Sequence, residues 1–124
     1  MKPTFDLRIK DYRPLLPPDQ LKDMLPASPA AYETVLDGRQ ALGRILDGSD
    51  RRLMVICGPC SIHDEKAALE YAERLAALSR KLQETLMVVM RVYFEKPRTS
   101  VGWKGLINDP RMDGTCDIEE GLYR

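Results

Sequence analysis

The sequence predicts an α/β protein with parallel strands, on three observations. Leu53–Cys57 is a continuous apolar run, Leu86–Tyr93 is a second, mostly apolar run, and an amphipathic segment over residues 65–83 lies between them. A run with no polar alternation reads as a strand buried on both faces, and a helical crossover between two such strands makes them a parallel pair.

Each element has its own signals. Residues 1–27 are polar, with prolines that include those at 14, 17, 18 and 26, and read as an irregular extended arm. Ser28 suits an N-cap and Pro29 the first helical position. Val35, Leu42, Ile45 and Leu46 form the apolar stripe of that helix, and Gly48 fits just past its end. Gly38 and Gly43 weaken it. Strand one stops at Gly58-Pro59. Ser61 or Asp64 then caps the 65–83 helix, whose apolar face is assigned to Leu69, Ala72, Leu75, Ala76 and Leu82. After strand two comes a polar loop over 94–114. Asp117 to Arg124 has the acidic start of a third helix. Two parallel strands with one complete crossover helix would expose unpaired edges and apolar faces, so the pattern reads as the opening of a larger α/β protein.

Composition excludes several classes. The 124 residues carry 19 acidic and 19 basic side chains, for a formal net charge of zero. That argues against a broad footprint for nucleic acid or an anionic membrane, and the low aromatic content argues against a base-stacking platform. The apolar runs are far too short to cross a bilayer, and the N-terminus lacks an apolar signal core. The odd count of three cysteines, without zinc-ribbon spacing, suits a reducing compartment. The expectation is a soluble cytoplasmic protein with no nucleic-acid or membrane partner.

In parallel α/β folds, sites gather beyond the C-terminal ends of strands. Gly58-Pro59-Cys60-Ser61-Ile62-His63-Asp64 follows strand one, and Arg91 to Thr99 ends strand two. Arg91, Lys96 and Arg98 lie within eight residues, with Thr99 adjacent. Guanidinium forks, an ammonium and a hydroxyl suit a ligand with more than one anionic group; the alternative is a solvated basic loop. Cys60 is a soft metal ligand or a nucleophile on one reading, and a small side chain packed in a turn on the other. Cys57, inside the strand, reads as core. His63, the sole histidine, reads as a local hydrogen-bonding residue, since Cys60-x-x-His63 offers two ligands and no site. No glycine-rich nucleotide motif is present.

The Gly58–Asp64 segment and Met90-Arg91-Val92-Tyr93-Phe94-Glu95-Lys96-Pro97-Arg98-Thr99, continued by Val101-Gly102-Trp103-Lys104-Gly105-Leu106-Ile107-Asn108-Asp109-Pro110, closely resemble the type I alpha 3-deoxy-7-phosphoheptulonate synthases. The likeness runs from the Asp6-Leu7-Arg8-Ile9 arm onward and corresponds to about the first third of a family member. It implies the first units of a (β/α)8 barrel, incomplete here. Residues 1–50 would be an N-terminal extension for subunit contact and regulation, and 51–124 the start of the barrel domain.

The implied reaction is the condensation of phosphoenolpyruvate with erythrose 4-phosphate, the first step toward aromatic amino acids. The resemblance makes Cys60 a ligand to a divalent metal, with manganese, iron, zinc and cobalt all compatible. It makes Arg91 and Lys96 phosphoenolpyruvate contacts, with Lys96 catalytic beside the reacting aldehyde. Pro97, Arg98 and Thr99 belong with the erythrose 4-phosphate site. A homo-oligomer and feedback inhibition by an aromatic amino acid are implied for the complete enzyme. The family's other metal ligands, a histidine, a glutamate and an aspartate, come from later strands, and His63 does not replace them. The 124-residue chain is therefore expected to be inactive alone. Two other readings are a non-catalytic chain that binds a synthase subunit through its arm, and an independent small phosphate-binding domain.

Overall fold

A computed structural model describes residues 4–98 and 101–124. The order is α1 (Pro18–Met24), α2 (Pro29–Leu46), β1 (Leu53–Cys57), α3 (Glu65–Leu82), β2 (Leu86–Met90) and α4 (Ile118–Tyr123). β1 and β2 pair in parallel, from Leu53 opposite Leu86 to Cys57 opposite Met90. α3 packs on β2 and α2 touches β1.

The caps follow the local chemistry. Ser28 accepts a hydrogen bond from the Ala31 amide at 3.2 Å. Asp64, and not Ser61, caps α3 by accepting from Ala67 at 2.8 Å. Asp117 accepts from the Glu120 amide at 3.3 Å. Each bond satisfies an amide that the first helical turn leaves without a partner. Gly48, at φ 81°, closes α2 in the left-handed region. Asp50 then turns its carboxylate onto the Arg52 guanidinium at 2.6 Å, which holds its carboxyl at about 2.

Four sequence expectations are corrected. The arm is not wholly irregular: Pro18 occupies the first turn of α1, where its missing N–H costs nothing, and Pro26 lies just beyond its end. β2 stops at Met90 because β1 ends at Cys57; the last ladder bond is Arg91 N–H to Cys57 O at 2.8 Å. The Tyr93 carbonyl instead accepts from the Ile62 amide at 2.8 Å, so the chain has changed partner. The buried stripe of α3 is Ala68, Ala72, Leu75, Ser79 and Leu82, each half-buried, while Leu69 is 66% exposed. Finally, the strands are not buried on both faces. Leu53 and Ile56, which strand alternation places on opposite faces of β1, are 66% and 58% exposed.

The most buried residues lie elsewhere. Ile62 and Leu106 are buried apolar side chains, Ser61 and Asp109 buried polar ones, and Gly105, Pro110 and Gly121 are buried beside them. All sit past the strand ends. The expected polar loop over 94–114 therefore contains four of the seven buried positions among the described residues, Gly105, Leu106, Asp109 and Pro110.

Candidate functional site

Two segments leave the C-terminal ends of the strands side by side, and close backbone approach sets their spacing. A Cβ on Gly58 would stand 2.5 Å from the Arg91 carbonyl oxygen, so only glycine lets β1 turn off against β2. The Arg91 guanidinium then reaches back across the gap. Its Nη1 donates to the carbonyls of Pro59 at 2.7 Å and Cys60 at 2.5 Å. The same guanidinium lies 4.8 Å from the Tyr93 ring centroid, a cation–π contact.

Cys60 and Lys96 meet. Lys96 Nζ lies 2.8 Å from Cys60 Sγ, joining residues 36 apart in sequence. The Lys96 hydrogen bond and charge, assisted by the charges of Arg91 and Arg98, push the Cys60 thiol below its ordinary value. Cys60 is exposed, which removes the reading of it as a packed turn residue. Cys57 is half-buried in β1. Pro97 and Arg98 follow on the exposed loop, with Arg98 passing over Gly102 and its carbonyl accepting from Lys104 Nζ at 3.3 Å. Thr99 lies outside the described residues.

The loop carrying these cations is tied down. Glu95 bridges Gly105 in antiparallel fashion, flanked by Lys96 N–H to Lys104 O at 2.9 Å and Leu106 N–H to Phe94 O at 2.6 Å. The Trp103 indole donates to the Asp109 carbonyl at 2.7 Å, and the Asp109 carboxylate accepts from the Gly114 amide at 3.2 Å. His63, expected to hydrogen-bond locally, meets Trp103 edge-on with centroids 6.5 Å apart. Sequence reasoning missed the part played by 103–110; its glycine and aromatic residues flanking Lys104 were the available signal.

Cys60 suits one ligand position on a divalent metal, being an exposed sulfur whose thiol is pushed below its ordinary value by Lys96. No group of three or more His, Cys, Asp or Glu residues that could hold a metal occurs among the described residues. Cys60 thus fits as a single donor.

These features define an α/β chain with a thiol and several cations gathered past the ends of its parallel strands. The chain belongs to the DAHP synthetase I family, whose sequence profile matches residues 24–123. Over 117 residues it is 58% identical to the Phe-sensitive phospho-2-dehydro-3-deoxyheptonate aldolase of Escherichia coli (strain K12), covering 94% of this chain and 33% of that protein. Over 122 residues it is 52% identical to the Trp-sensitive enzyme of Enterobacter agglomerans, covering 98% of this chain and 35% of that one. The structure of phospho-2-dehydro-3-deoxyheptonate aldolase from Francisella tularensis SCHU S4 superposes with a TM-score of 0.87 at 44% identity, covering 94% of this chain and 35% of that one. The chain spans about a third of the length of these relatives. No described helix is long and apolar enough to cross a membrane.

Proposed function

We propose that this chain supplies the opening units of a (β/α)8 barrel and part of the active site of a 3-deoxy-7-phosphoheptulonate synthase. Residues 1–50 serve as an extension for subunit contact and regulation, and 51–124 begin the catalytic domain. The reaction joins phosphoenolpyruvate to erythrose 4-phosphate, with water, giving the seven-carbon phosphate and free phosphate. The observation that carries the reading is the contact of Lys96 Nζ with Cys60 Sγ at 2.8 Å, with arginines on either side in sequence.

Both substrates are anions and repel each other, so cations must hold them together. Arg91 is positioned by the Pro59 and Cys60 carbonyls and presents its remaining donors to phosphoenolpyruvate. Arg98, with Thr99, grips the phosphate of the sugar through a guanidinium fork. Lys96 stands between them, contacts phosphoenolpyruvate and can hold a proton at the aldehyde oxygen. Cys60 would hold a divalent metal together with ligands from outside the described residues; such an ion polarises the aldehyde as a Lewis acid. The enol carbon then bonds to the aldehyde carbon, water adds to the cationic centre left behind, and phosphate departs. Relatives are named for sensitivity to phenylalanine, tyrosine or tryptophan, which supports feedback by an aromatic amino acid in the complete enzyme.

A chimera tests this. Residues of this chain replace the matched third of the Escherichia coli Phe-sensitive relative, and product formation is measured. The chimera should condense the two substrates. Arg98→Ala should raise KM for erythrose 4-phosphate by roughly 10- to 100-fold, as expected for losing a charge-assisted bidentate partner. A folded chimera without condensation would refute the function; an unchanged KM would remove Arg98 from the sugar-phosphate site.

A further inference from the structure

Glu95 immediately precedes Lys96, and its carboxylate faces away from solvent into the packed 103–110 segment. Oε2 accepts a hydrogen bond from the Asn108 side-chain amide. Oε1 is buried and has no hydrogen-bond partner among the described residues. A half-satisfied, desolvated carboxylate destabilises a fold relative to a neutral or apolar side chain of similar shape. Local stability therefore does not account for this residue, and its neighbours point to another role.

We propose that Glu95 is a positioning residue which, through Asn108, sets Lys96 against Cys60; its catalytic consequence rests on the synthase reading above. The geometry is that of a lever. Glu95 is the bridge residue opposite Gly105, where a Cβ would stand 2.4 Å from the Phe94 carbonyl oxygen, so the two backbones are in direct contact. The flanking bonds, Lys96 N–H to Lys104 O and Leu106 N–H to Phe94 O, fix the backbone on both sides of Glu95. Along extended backbone, successive side chains point to opposite faces. Anchoring Glu95 to Asn108 on one face aims Lys96 at the other, where Nζ reaches Cys60 Sγ. The ammonium is at the end of a long flexible stem and would otherwise sample many rotamers. Supporting contacts of this kind hold a functional group in productive geometry.

The test reads proximity and needs no catalysis. Ortho-phthalaldehyde condenses with an amine and a neighbouring thiol to a fluorescent isoindole. On the full 124-residue chain it should link Lys96 to Cys60, identified as a cross-linked peptide, and Lys96→Ala should abolish that link. Glu95→Ala and Asn108→Ser should slow its formation by roughly tenfold, since small misplacements of reacting groups cost rate steeply. Glu95→Gln, which can still accept from Asn108, should restore it. Emission from Trp103, the sole tryptophan, confirms that each variant is folded. An unchanged rate in folded Glu95→Ala and Asn108→Ser would overturn the proposal. Loss of the fold in both would overturn it too, making Glu95 a folding residue. An inactive chimera would count against the synthase reading alone, because the cross-link is independent of turnover.

Discussion

Supplied with phosphoenolpyruvate, erythrose 4-phosphate and a divalent metal, residues 1–124 alone should release no phosphate. The described residues bring two strands and one candidate metal ligand, Cys60, to a reaction whose groups act together. Removing members of such a set costs far more than a single contact, because substrate positioning and polarisation of the aldehyde fail at once. Cations remain at the strand ends, so weak substrate binding without turnover is the expected behaviour. Phosphate release that requires both substrates, and that Cys60→Ala abolishes, would show that the chain assembles a competent site alone.

Gly105→Ala should be among the most damaging single substitutions. Gly105 adopts φ 117°, where an L side chain is strained, and its Cβ would lie 2.4 Å from the Phe94 oxygen and 2.5 Å from Glu95 Cα. Neither neighbour is a flexible side chain that can swing away. Backbone strain and collision together should cost roughly 3 kcal/mol or more, a large part of the stability of a small domain. Urea unfolding followed by Trp103 emission measures the loss. Gly38→Ala is the control, since nothing lies within 4 Å of its added Cβ; it should be neutral or stabilising. Equal midpoints for the two variants would contradict the close approach at Gly105.

The elements that sequence reasoning located well are those whose signals are local. A five-residue apolar run bounded by charge and Gly58-Pro59 marks β1 at Leu53–Cys57, and Ser28-Pro29 marks the start of α2. The misplacements arose where the deciding interaction lies far along the chain. Val92 and Tyr93 look like strand, but their continuation depends on a β1 partner that has ended at Cys57. Leu69 looks like core, yet the face of α3 that meets β2 runs through Ala68 and Ala72. α1 was hidden because the prolines of the arm suggest an extended chain, although one of them suits a helix start. At the site, the strand-end rule singled out Cys60, Arg91, Lys96 and Arg98. Spacing could not show that Lys96 touches Cys60, or that Glu95 is held by Asn108 across 13 residues.

The concentration of buried residues past the strand ends has a consequence for how the molecule opens. In most α/β proteins the sheet is the slowest part to exchange its amide protons, and the site loops breathe first. Here that order should be inverted. The amides of Ile62, Lys96, Leu106 and Asp109 are bonded within or beside the packed cluster, at 2.8, 2.9, 2.6 and 2.9 Å. The strands meanwhile leave Leu53 and Ile56 facing water. In heavy water, these loop amides should outlast those on the free edges of β1 and β2. The cationic cluster would then persist through local openings that loosen the sheet beneath it, leaving the strand-end surface sturdier than the strands that carry it.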